Sequence, residues 1–468
     1  MKSPQLSPSI ADKATGSEAD QGLLESGVKV PSYFILTYGC QMNTNDSERL
    51  TAMLKNCGLT ESLTEEEADL VIFNTCSVRE HAEQRIYGKM ENLVERKRKG
   101  ERVLIAVTGC MAGRDKNGDL RRRLSMVDLF FATADMINLP RWLAELRPDW
   151  MISGDQEADY LKISPARRSP HQAYVTIQTG CNHFCSYCVV PYARGLERNR
   201  PVDDILIEIR QSVELGALDI TLLGQAVNEY RASDSGSFSA HNPYKNHFAA
   251  LLWEINQLEG VKRVHWTAAR PLFMDDEVIH ALTLPKQVNY LHLPVQSGSN
   301  EVLRRMNRKY TREQYLEKIA KIKQVRPGIA LGTDIIVGFP GETERDFLET
   351  VDLYKQCDYD ISYTAQYSPR TGTLSHRLFA DDVSSQEKKR RWEVLQALME
   401  ETVWRKNQVY KDMVLDVLIE KIDGEWAYGT SGELKNIRAL GAKEGMVGTM
   451  QQIRVDKPMT WLLEGQII

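Results

Sequence analysis

Six of the chain's eight cysteines fall into two sets of three that are spaced differently. The first set, which we call the tight triad, is a C-x3-C-x2-C in the segment QTGCNHFCSYCVV and consists of Cys181, Cys185 and Cys188. The second set, the dispersed triad, ends three short apolar runs and consists of Cys40, Cys76 and Cys110. A four-iron cubane is usually held by four cysteines, so three thiolates leave one iron open for a small molecule. Each triad therefore predicts an iron–sulfur site with an open iron.

Two other interpretations of the triads remain open from the residues alone. The dispersed triad can also be three unrelated core residues, because cysteine is often buried. The tight triad together with His183 offers four possible zinc ligands, although no second knuckle follows it. The remaining cysteines, Cys57 and Cys357, are expected to be packing residues.

Strands and helices alternate around the dispersed triad. Apolar strands are predicted at residues 33–38, 70–74 and 103–107, and helices at residues 46–56 and 79–99. Near-continuous apolar strands separated by helices are typical of a parallel sheet that is covered on both faces. Each dispersed cysteine stands just past a strand, and the carboxyl ends of parallel strands share one edge, where ligands bind. We therefore expect this topology to bring the three thiols together.

The tight triad follows the first strand of a second alternating block. Strands are predicted at residues 173–178, 219–223, 263–267, 290–295, 330–337 and 360–365, with helices such as 202–215, 311–325 and 343–356 between them. This pattern predicts a partial (β/α)6 barrel, in which chemistry lies in the loops after the strands. A charged helix at 386–411 leads to short strands within 414–422, 425–430, 448–455 and 460–468, which predict a small all-β module.

The domain division follows from these blocks: a tail at 1–30, an N-terminal domain at 31–152, a linker at 153–170, the barrel at 171–400 and the all-β module at 401–468. The formal net charge of -5 excludes a uniformly basic nucleic-acid coat, so RNA contacts must be local. No apolar run approaches the ~20 residues of a membrane span, and residues 1–30 lack a signal-type apolar core. We expect a monomeric, cytoplasmic protein without a membrane partner.

The stretches around both triads resemble the radical SAM superfamily, and from residue 31 to the end the chain is similar to its methylthiotransferase family. The matching stretches are GCQMNTNDSE (39–48), NTCSVRE (74–80), TGCMAG (108–113), CSYCVVPYARGLERNRP (185–201), LLGQAVNEY (222–230), LPVQSGSNEVLRRMNRKYTREQY (293–315), DIIVGFPGETERDF (334–347) and YSPRTGT (367–373). The all-β module resembles the family's TRAM domain, an RNA-binding barrel. It departs from that domain because it lacks an Arg between Gly429 and Thr430. Residues 405–468 also carry equal numbers of basic and acidic residues, so this region has no net positive charge.

The resemblance implies an α/β protein with two 4Fe–4S clusters and S-adenosylmethionine (SAM). The tight triad would hold the cluster that binds SAM, and the dispersed triad an auxiliary cluster. The implied reaction is 2-methylthiolation of N6-isopentenyladenosine at position 37 in the tRNA anticodon loop. One SAM would provide the methyl group and a second the 5′-deoxyadenosyl radical. A low-potential electron donor and a sulfur donor would be partners.

Three alternatives to this reaction remain. Two are reactions of the same family, on threonylcarbamoyl-adenosine of tRNA or on an aspartate of a ribosomal protein; GCQMNTNDSE and NTCSVRE favour the isopentenyl-adenosine branch. The third is a non-catalytic iron–sulfur sensor that binds RNA. The SAM-type motifs of the barrel disfavour a sensor, because it would not need them.

Further candidate residues stand near strand ends, where barrel enzymes bind their ligands. The candidates for contacting SAM are Tyr187, Gln225, Asn228, Thr267, Arg270, Gln296, Ser297, Arg308 and Gly338. The stretch HWTAARP (265–271) departs from the family pattern, because it lacks the second His often seen before this Pro. The resemblance therefore supports a role for Arg270 less directly than for the other candidates. The candidates for contacting RNA are Arg194, Arg198, Arg200, Tyr367 and Arg370, since extruded bases stack on aromatic and Arg planes. The competing interpretation is that such residues cap turns or form ordinary surface.

Overall fold

The computed structural model describes residues 30–76, 80–152 and 158–468. The expected tail therefore lies outside the described residues, as do 77–79 of the NTCSVRE stretch and 153–157 of the expected linker. In the N-terminal domain the elements are β1 Ser32–Tyr38, α1 Gln41–Asn56, β2 Thr60–Glu61, β3 Leu70–Thr75, α2 Glu80–Arg98, β4 Leu104–Gly109, α3 Cys110–Arg114, α4 Asp119–Arg123, β5 Leu129–Phe130 and α5 Leu139–Leu146.

The N-terminal sheet is parallel throughout, with strand order β2-β1-β3-β4-β5. All residues of β3 and β4 are buried, because one apolar cluster packs on each face of the sheet. The predicted parallel, doubly covered sheet is thereby confirmed. Helix α1 begins five residues earlier than expected, since Cys40 is its N-cap and Asn43 completes a capping box.

The central part contains β6 Gln172–Thr176, β7 Gln178–Thr179, α6 Val190–Arg194, β8 Arg198–Asn199, α7 Val202–Glu214, β9 Asp219–Leu223, α8 His247–Gln257, β10 Arg263–Trp266, α9 Asp276–Ala281, β11 Tyr290–His292, α10 Asn300–Arg305, α11 Arg312–Val325, β12 Ala330–Val337, α12 Glu344–Cys357, β13 Ile361–Gln366, α13 Leu374–Leu378 and α14 Ser385–Asn407. Strands β6, β9 and β10 form one parallel sheet, and β11, β12 and β13 form another. Val264 of β10 donates to the Lys286 carbonyl and accepts from the Val288 N–H, which connects the first sheet to the segment that leads into β11.

These six parallel strands share one continuous apolar core with their helices, which confirms the partial (β/α)6 barrel. Helix α1 of the N-terminal domain lies along its first strand, where Asn45 Nδ2 donates to the Tyr174 carbonyl at 3.0 Å. None of the described helices is long and apolar enough to cross a bilayer.

The C-terminal strands are β14 Val414–Asp423, β15 Trp426–Ser431, β16 Asn436–Leu440, β17 Met450–Pro458 and β18 Leu463–Ile467, and they close into a small barrel in the order β14-β15-β16-β18-β17. This confirms the all-β module, although the short strand β16 was not expected. The module contacts the amino ends of the central strands: Arg263, the first residue of β10, donates to the Thr430 carbonyl at 2.7 Å. It therefore lies at the opposite end of the strands from the tight triad.

Candidate functional site

The tight triad lies in the loop between β7 and α6, as its position after the first barrel strand predicts. Cys181 and Cys185 are buried, and Cys188 is half-buried. Backbone hydrogen bonds fix the loop: Cys181 donates to the Gly195 carbonyl at 3.1 Å, and Cys188 to that of Cys185 at 2.9 Å. The three thiols are thus held on one ordered loop.

Two guanidinium groups approach Cys185. Arg270 Nη1 lies 3.4 Å and Arg308 Nη1 lies 3.5 Å from its Sγ atom. Burial opposes ionisation of this thiol, but the two positive charges outweigh it and lower the pKa of Cys185. At Cys188, burial outweighs the charge of Arg308 and raises the pKa to about 12. The site therefore stabilises negative charge on sulfur next to the two arginines.

Two residues that follow barrel strands, Arg270 after β10 and Gln225 after β9, carry buried polar atoms without a hydrogen-bond partner among the described residues. These atoms are Nε and Nη2 of Arg270, whose Nη1 contacts Cys185, and Oε1 of Gln225. Asn228, by contrast, is satisfied, since its amide exchanges two hydrogen bonds of 2.9 Å with the backbone of Arg270. A carboxylate would satisfy the arginine donors and an ammonium or hydroxyl would satisfy the glutamine oxygen. The donor set fits the amino-acid end of SAM, with Asn228 as a support for Arg270.

The other SAM candidates have mixed surroundings. Thr267 is half-buried after β10, and Ser297 contacts the Thr350 hydroxyl at 3.3 Å inside a turn. Gln296 has a positive φ of 72°, which is uncommon for a residue other than glycine and marks a constrained position. A Cβ on Gly338 would lie 2.2 Å from Lys388 Cγ, so this glycine accommodates a lysine of the same chain. The expected role of Gly338 in close approach to an adenine therefore has a competing structural reason.

The Tyr187 side chain interacts electrostatically with Arg308, Cys185 and Cys188, and it also has an apolar environment. It packs in a small apolar cluster with Val302, Met306, Phe339 and Tyr367. Burial raises the pKa of Tyr187 well above its usual value. Its ring therefore supports the loop that carries Cys185 and Cys188.

The dispersed triad is assembled by three neighbouring parallel strands, as predicted. Cys40 follows β1, Cys76 follows β3 and Cys110 begins α3 directly after β4. A hydrogen bond with Cys76 is the main cause that lowers the pKa of Cys40 to about 6. Burial raises the pKa of Cys110. Topology thus brings together cysteines that are far apart in sequence.

The close approach of these loops depends on glycine. At Gly109, where φ is +93°, a Cβ would lie 2.4 Å from the carbonyl oxygen of Thr75. At Gly39 it would lie 2.2 Å from Asn43 Oδ1 and 3.0 Å from the Cβ of Cys76. Glycine before Cys40 and before Cys110 therefore allows the strand ends to come together.

Helices α3 and α6 join the two triads. Helix α3 begins at Cys110, and α6 begins two residues after Cys188. A Cβ on Gly113 would lie 2.1 Å from the Ala193 carbonyl oxygen, so the two helices touch through backbone. Arg194, the last residue of α6, crosses this contact: its Nη2 lies 2.6 Å from Asp46 and its Nε lies 3.3 Å from Cys110 Sγ.

The zinc interpretation finds no support in the surroundings of His183. Its Nε2 lies within hydrogen-bonding distance of a carboxylate oxygen of Glu229. Within the described ranges, no group of three or more His, Cys, Asp and Glu side chains, the two triads included, is arranged around a single metal ion, so this observation does not separate zinc from an iron–sulfur cluster.

The structure corrects the expected RNA contacts for three residues. Arg194 has a side chain that is only 3% exposed, and Arg200 is buried with its Nη1 2.7 Å from Glu208. Tyr367 is buried, donates to the Ser375 hydroxyl at 3.0 Å and packs on other aromatics. These side chains are already used inside the protein and do not face RNA. Arg198 is exposed, where it pairs with Asp159, and Arg370 is half-buried.

Two sets of interactions were not predicted from the sequence. Glu208 lies in a buried ion network that connects α1, the 158–170 segment and α7; its members are Glu48, Arg49, Arg167, Arg200 and Glu208. A chain of ring and polar contacts also crosses the strand faces opposite the apolar core, through His265, Tyr290, His292, Asp334 and Tyr363. Alternation along the strands could have indicated the second group, but no sequence signal marks the first.

Comparison with known proteins agrees with this architecture. Residues 175–354 match the radical SAM superfamily and residues 32–132 match the uncharacterized protein family UPF0004. Among solved structures, the radical S-adenosylmethionine methyltransferase TsrM from Kitasatospora setae shares the fold: the TM-score is 0.53 at 14% identity, covering 74% of this chain and 77% of that one.

Curated relatives are closer and extend over nearly the whole chain. The tRNA-2-methylthio-N6-dimethylallyladenosine synthase of Clostridium tetani is 38% identical over 444 residues, which cover 93% of this chain and 96% of the relative. The protein of the same name from Thermoanaerobacter sp. is 38% identical over 446 residues, covering 93% and 92%. With similarity of this extent over nearly the whole chain, the chain belongs to the tRNA-2-methylthio-N6-dimethylallyladenosine synthase family of radical SAM methylthiotransferases.

Proposed function

We propose that this protein converts N6-isopentenyladenosine at position 37 of tRNA into its 2-methylthio derivative. The net change replaces the C2–H bond of the base by C2–SCH3. The name shared by the relatives supports the reaction and its tRNA substrate. The observation that carries the proposal in this structure is the junction of the two cysteine triads through α3 and α6, since the reaction needs a radical source and a sulfur source side by side.

Cys181, Cys185 and Cys188 of the tight triad would ligate a 4Fe–4S cluster. When bound, this cluster and SAM supply the electron, the 5′-deoxyadenosyl radical and the methyl group. The protein positions these groups and excludes water, which is its usual part in cofactor chemistry. Arg270 binds the carboxylate of SAM through its two unpartnered donors, and Gln225 accepts from the amino group or a hydroxyl.

Cys40, Cys76 and Cys110 of the dispersed triad would ligate a second 4Fe–4S cluster. When bound, that cluster would supply the sulfur for the methylthio group. Three features of this site support the assignment: three thiols at one sheet edge, glycines that let the strand ends approach, and a buried arginine beside Cys110. The positive charge favours thiolate and sulfide at the site.

The anticodon loop enters at the carboxyl ends of the barrel strands, on the side of the two triads. Arg198 and Arg370 remain the candidates for phosphate contacts there. The C-terminal barrel contacts RNA only locally, because it lies at the other end of the strands and its charges balance. A low-potential electron donor and a sulfur donor complete the reaction, and the protein acts as a cytoplasmic monomer.

Nucleoside mass spectrometry tests the reaction directly. A strain that lacks its own enzyme is supplied with this chain, with Cys185→Ala or with Cys57→Ala as a buried cysteine outside both triads. The wild type and Cys57→Ala should restore 2-methylthio-isopentenyladenosine, and Cys185→Ala should not. Methylthiolated threonylcarbamoyl-adenosine, or no modified nucleoside at all, would refute the proposal.

A second measurement separates an enzyme from an RNA-binding sensor. Anaerobically reconstituted protein is incubated with SAM and a reductant, and 5′-deoxyadenosine is quantified. We expect its release by the wild type and not by Cys185→Ala. Release equal to that of a protein-free control would favour the sensor.

A further inference from the structure

Arg194 is the one arginine of the CSYCVVPYARGLERNRP stretch that reaches the dispersed triad. Its backbone belongs to α6, six positions after Cys188. Its guanidinium group nevertheless lies in the other domain's site, 3.3 Å from Cys110 Sγ and 2.6 Å from Asp46. A residue whose backbone follows the tight triad thus places a permanent positive charge beside the dispersed triad.

The hydrogen-bonding capacity of Arg194 is not used up by these contacts. Its Nη1 is buried and has no hydrogen-bond partner among the described residues. A buried donor without an acceptor is costly, so such an atom indicates a missing partner. Nη2 is taken by Asp46 and Nε by Cys110, so Nη1 is available to an acceptor that the described residues do not provide. Sulfide or another anionic sulfur bound at the dispersed triad would be such an acceptor.

We propose that Arg194 is a positioning residue for the dispersed triad, where it holds anionic sulfur by hydrogen bonds and makes reduction of the cluster easier. The inference rests on the proposed function, which provides the cluster. Reduction adds one electron and therefore negative charge, which a nearby positive charge stabilises. Hydrogen bonds to cluster sulfurs and net charge are known determinants of the potential of iron–sulfur clusters.

Asp46 acts in the opposite direction. Its carboxylate pairs with Arg194, and both side chains are almost fully buried, at 2% and 3% exposed. Removing the carboxylate leaves the arginine charge uncompensated beside the cluster. Removing the arginine leaves the carboxylate there instead. The two substitutions should therefore shift the reduction potential in opposite directions, which loss of a structural contact alone would not do.

The test uses the full chain with Cys181, Cys185 and Cys188 replaced by Ala, so that only the dispersed triad can hold a cluster. The reduced fraction is followed by electron paramagnetic resonance during anaerobic redox titration, without SAM or tRNA. In this background, Arg194→Gln should lower the reduced-to-oxidised ratio at a fixed potential at least tenfold, or about 59 mV for one electron. Asp46→Asn should raise the ratio, and Arg194→Lys should fall between wild type and Gln.

Arg122→Gln is the matched control, because Arg122 forms an exposed ion pair with Asp119 in the same domain and should leave the ratio unchanged. Iron content is measured first and separates two failures. A background protein without iron would refute the cluster site itself. Normal iron content with equal ratios for Arg194→Gln and wild type, or with both substitutions shifting the ratio in one direction, would refute only the role of Arg194. If Arg194→Gln loses its iron, Asp46→Asn provides the test instead. A raised reduced-to-oxidised ratio supports the role of Arg194, and an equal or lowered ratio refutes it.

Discussion

Replacing Glu208 by Gln should weaken the attachment of the N-terminal domain to the barrel. Glu208, on α7 of the barrel, accepts hydrogen bonds from Arg200 at 2.7 Å, Arg167 at 2.5 Å and Arg49 at 3.2 Å. Arg49 belongs to α1 of the N-terminal domain, so this carboxylate connects both domains. Breaking a buried pair by removing one partner costs about 3–5 kcal/mol, because it leaves buried charge uncompensated.

The pKa of Glu208 gives an independent magnitude. Burial alone would raise it, but Arg49, Arg200 and Arg167 outweigh burial and lower the pKa from its usual 4.5 to about 2. At about 1.36 kcal/mol for each pH unit, this difference contributes about 3 kcal/mol to stability at neutral pH. Because the folded-state pKa is the lower one, the contribution is present above pH 4.5 and is lost as the pH falls towards 2. About 2 kcal/mol of it should be lost between about pH 7 and pH 3.

Urea unfolding of the cluster-free protein, followed by circular dichroism at neutral and acidic pH, measures both effects. Glu145→Gln is the control, because its pair with Arg141 is exposed and such pairs contribute about 1 kcal/mol at most. We expect a clearly lower urea midpoint for Glu208→Gln and a weaker loss of stability in acid than for the wild type. Equal midpoints for the two variants at neutral pH, or an unchanged acid dependence of Glu208→Gln, would refute the reasoning.

Four further changes probe other parts of the site. Gly113→Ala should separate α3 from α6, because its Cβ would lie 2.1 Å from the Ala193 carbonyl; overpacking costs about 1–3 kcal/mol, and an unchanged thermal midpoint would contradict this. Arg270→Gln should weaken SAM binding about 10-fold to 100-fold in equilibrium dialysis, through loss of a charged hydrogen bond of about 1.5–3 kcal/mol. Equal affinity at equal iron content would exclude that contact. Asp360→Asn should make the C-terminal barrel easier to cleave in limited proteolysis, since two lysines lose their buried partner; an unchanged cleavage rate would show that these contacts are dispensable. Arg198→Gln should reduce the slope of log affinity against log salt for tRNA by about 0.7, whereas an unchanged slope would argue against a phosphate contact.

The strands were predictable because their apolar runs are buried on both faces. The expected strands at 219–223 and 330–337 coincide with Asp219–Leu223 and Ala330–Val337. The short strand Asn436–Leu440 was not predictable, since it has five residues and two of them are exposed. It pairs with β15, directly before it, and with the more distant β18, and the second pairing is absent from the local pattern.

The cysteine triads were predictable for a related reason: parallel topology alone brings residues at strand ends together. The surroundings of the cysteines, and the burial of nearby basic side chains, could not be predicted. Arg194 and Arg200 look like surface arginines in ARGLERNR, but both are buried by contacts with residues from other elements. Tyr367 was expected to stack on a base, whereas it packs against Phe339. Whether a basic or aromatic residue is buried depends on how the domains pack, and a local pattern does not contain that.

The polar side of α1 shows why packing of the domains matters for the chemistry. Asn45, Asp46, Glu48 and Arg49 would be surface residues on an isolated helix, yet all four are buried where the N-terminal domain meets the barrel. Buried charges are tolerated only with well-placed partners, so a charged interface restricts the domains to the geometry in which every partner is met. Since α1 begins next to Cys40, this restriction acts directly on the dispersed triad. A variant that loosens the interface without touching a cysteine should therefore impair sulfur transfer more than radical formation, which ratios of methylthiolated nucleoside to 5′-deoxyadenosine can reveal.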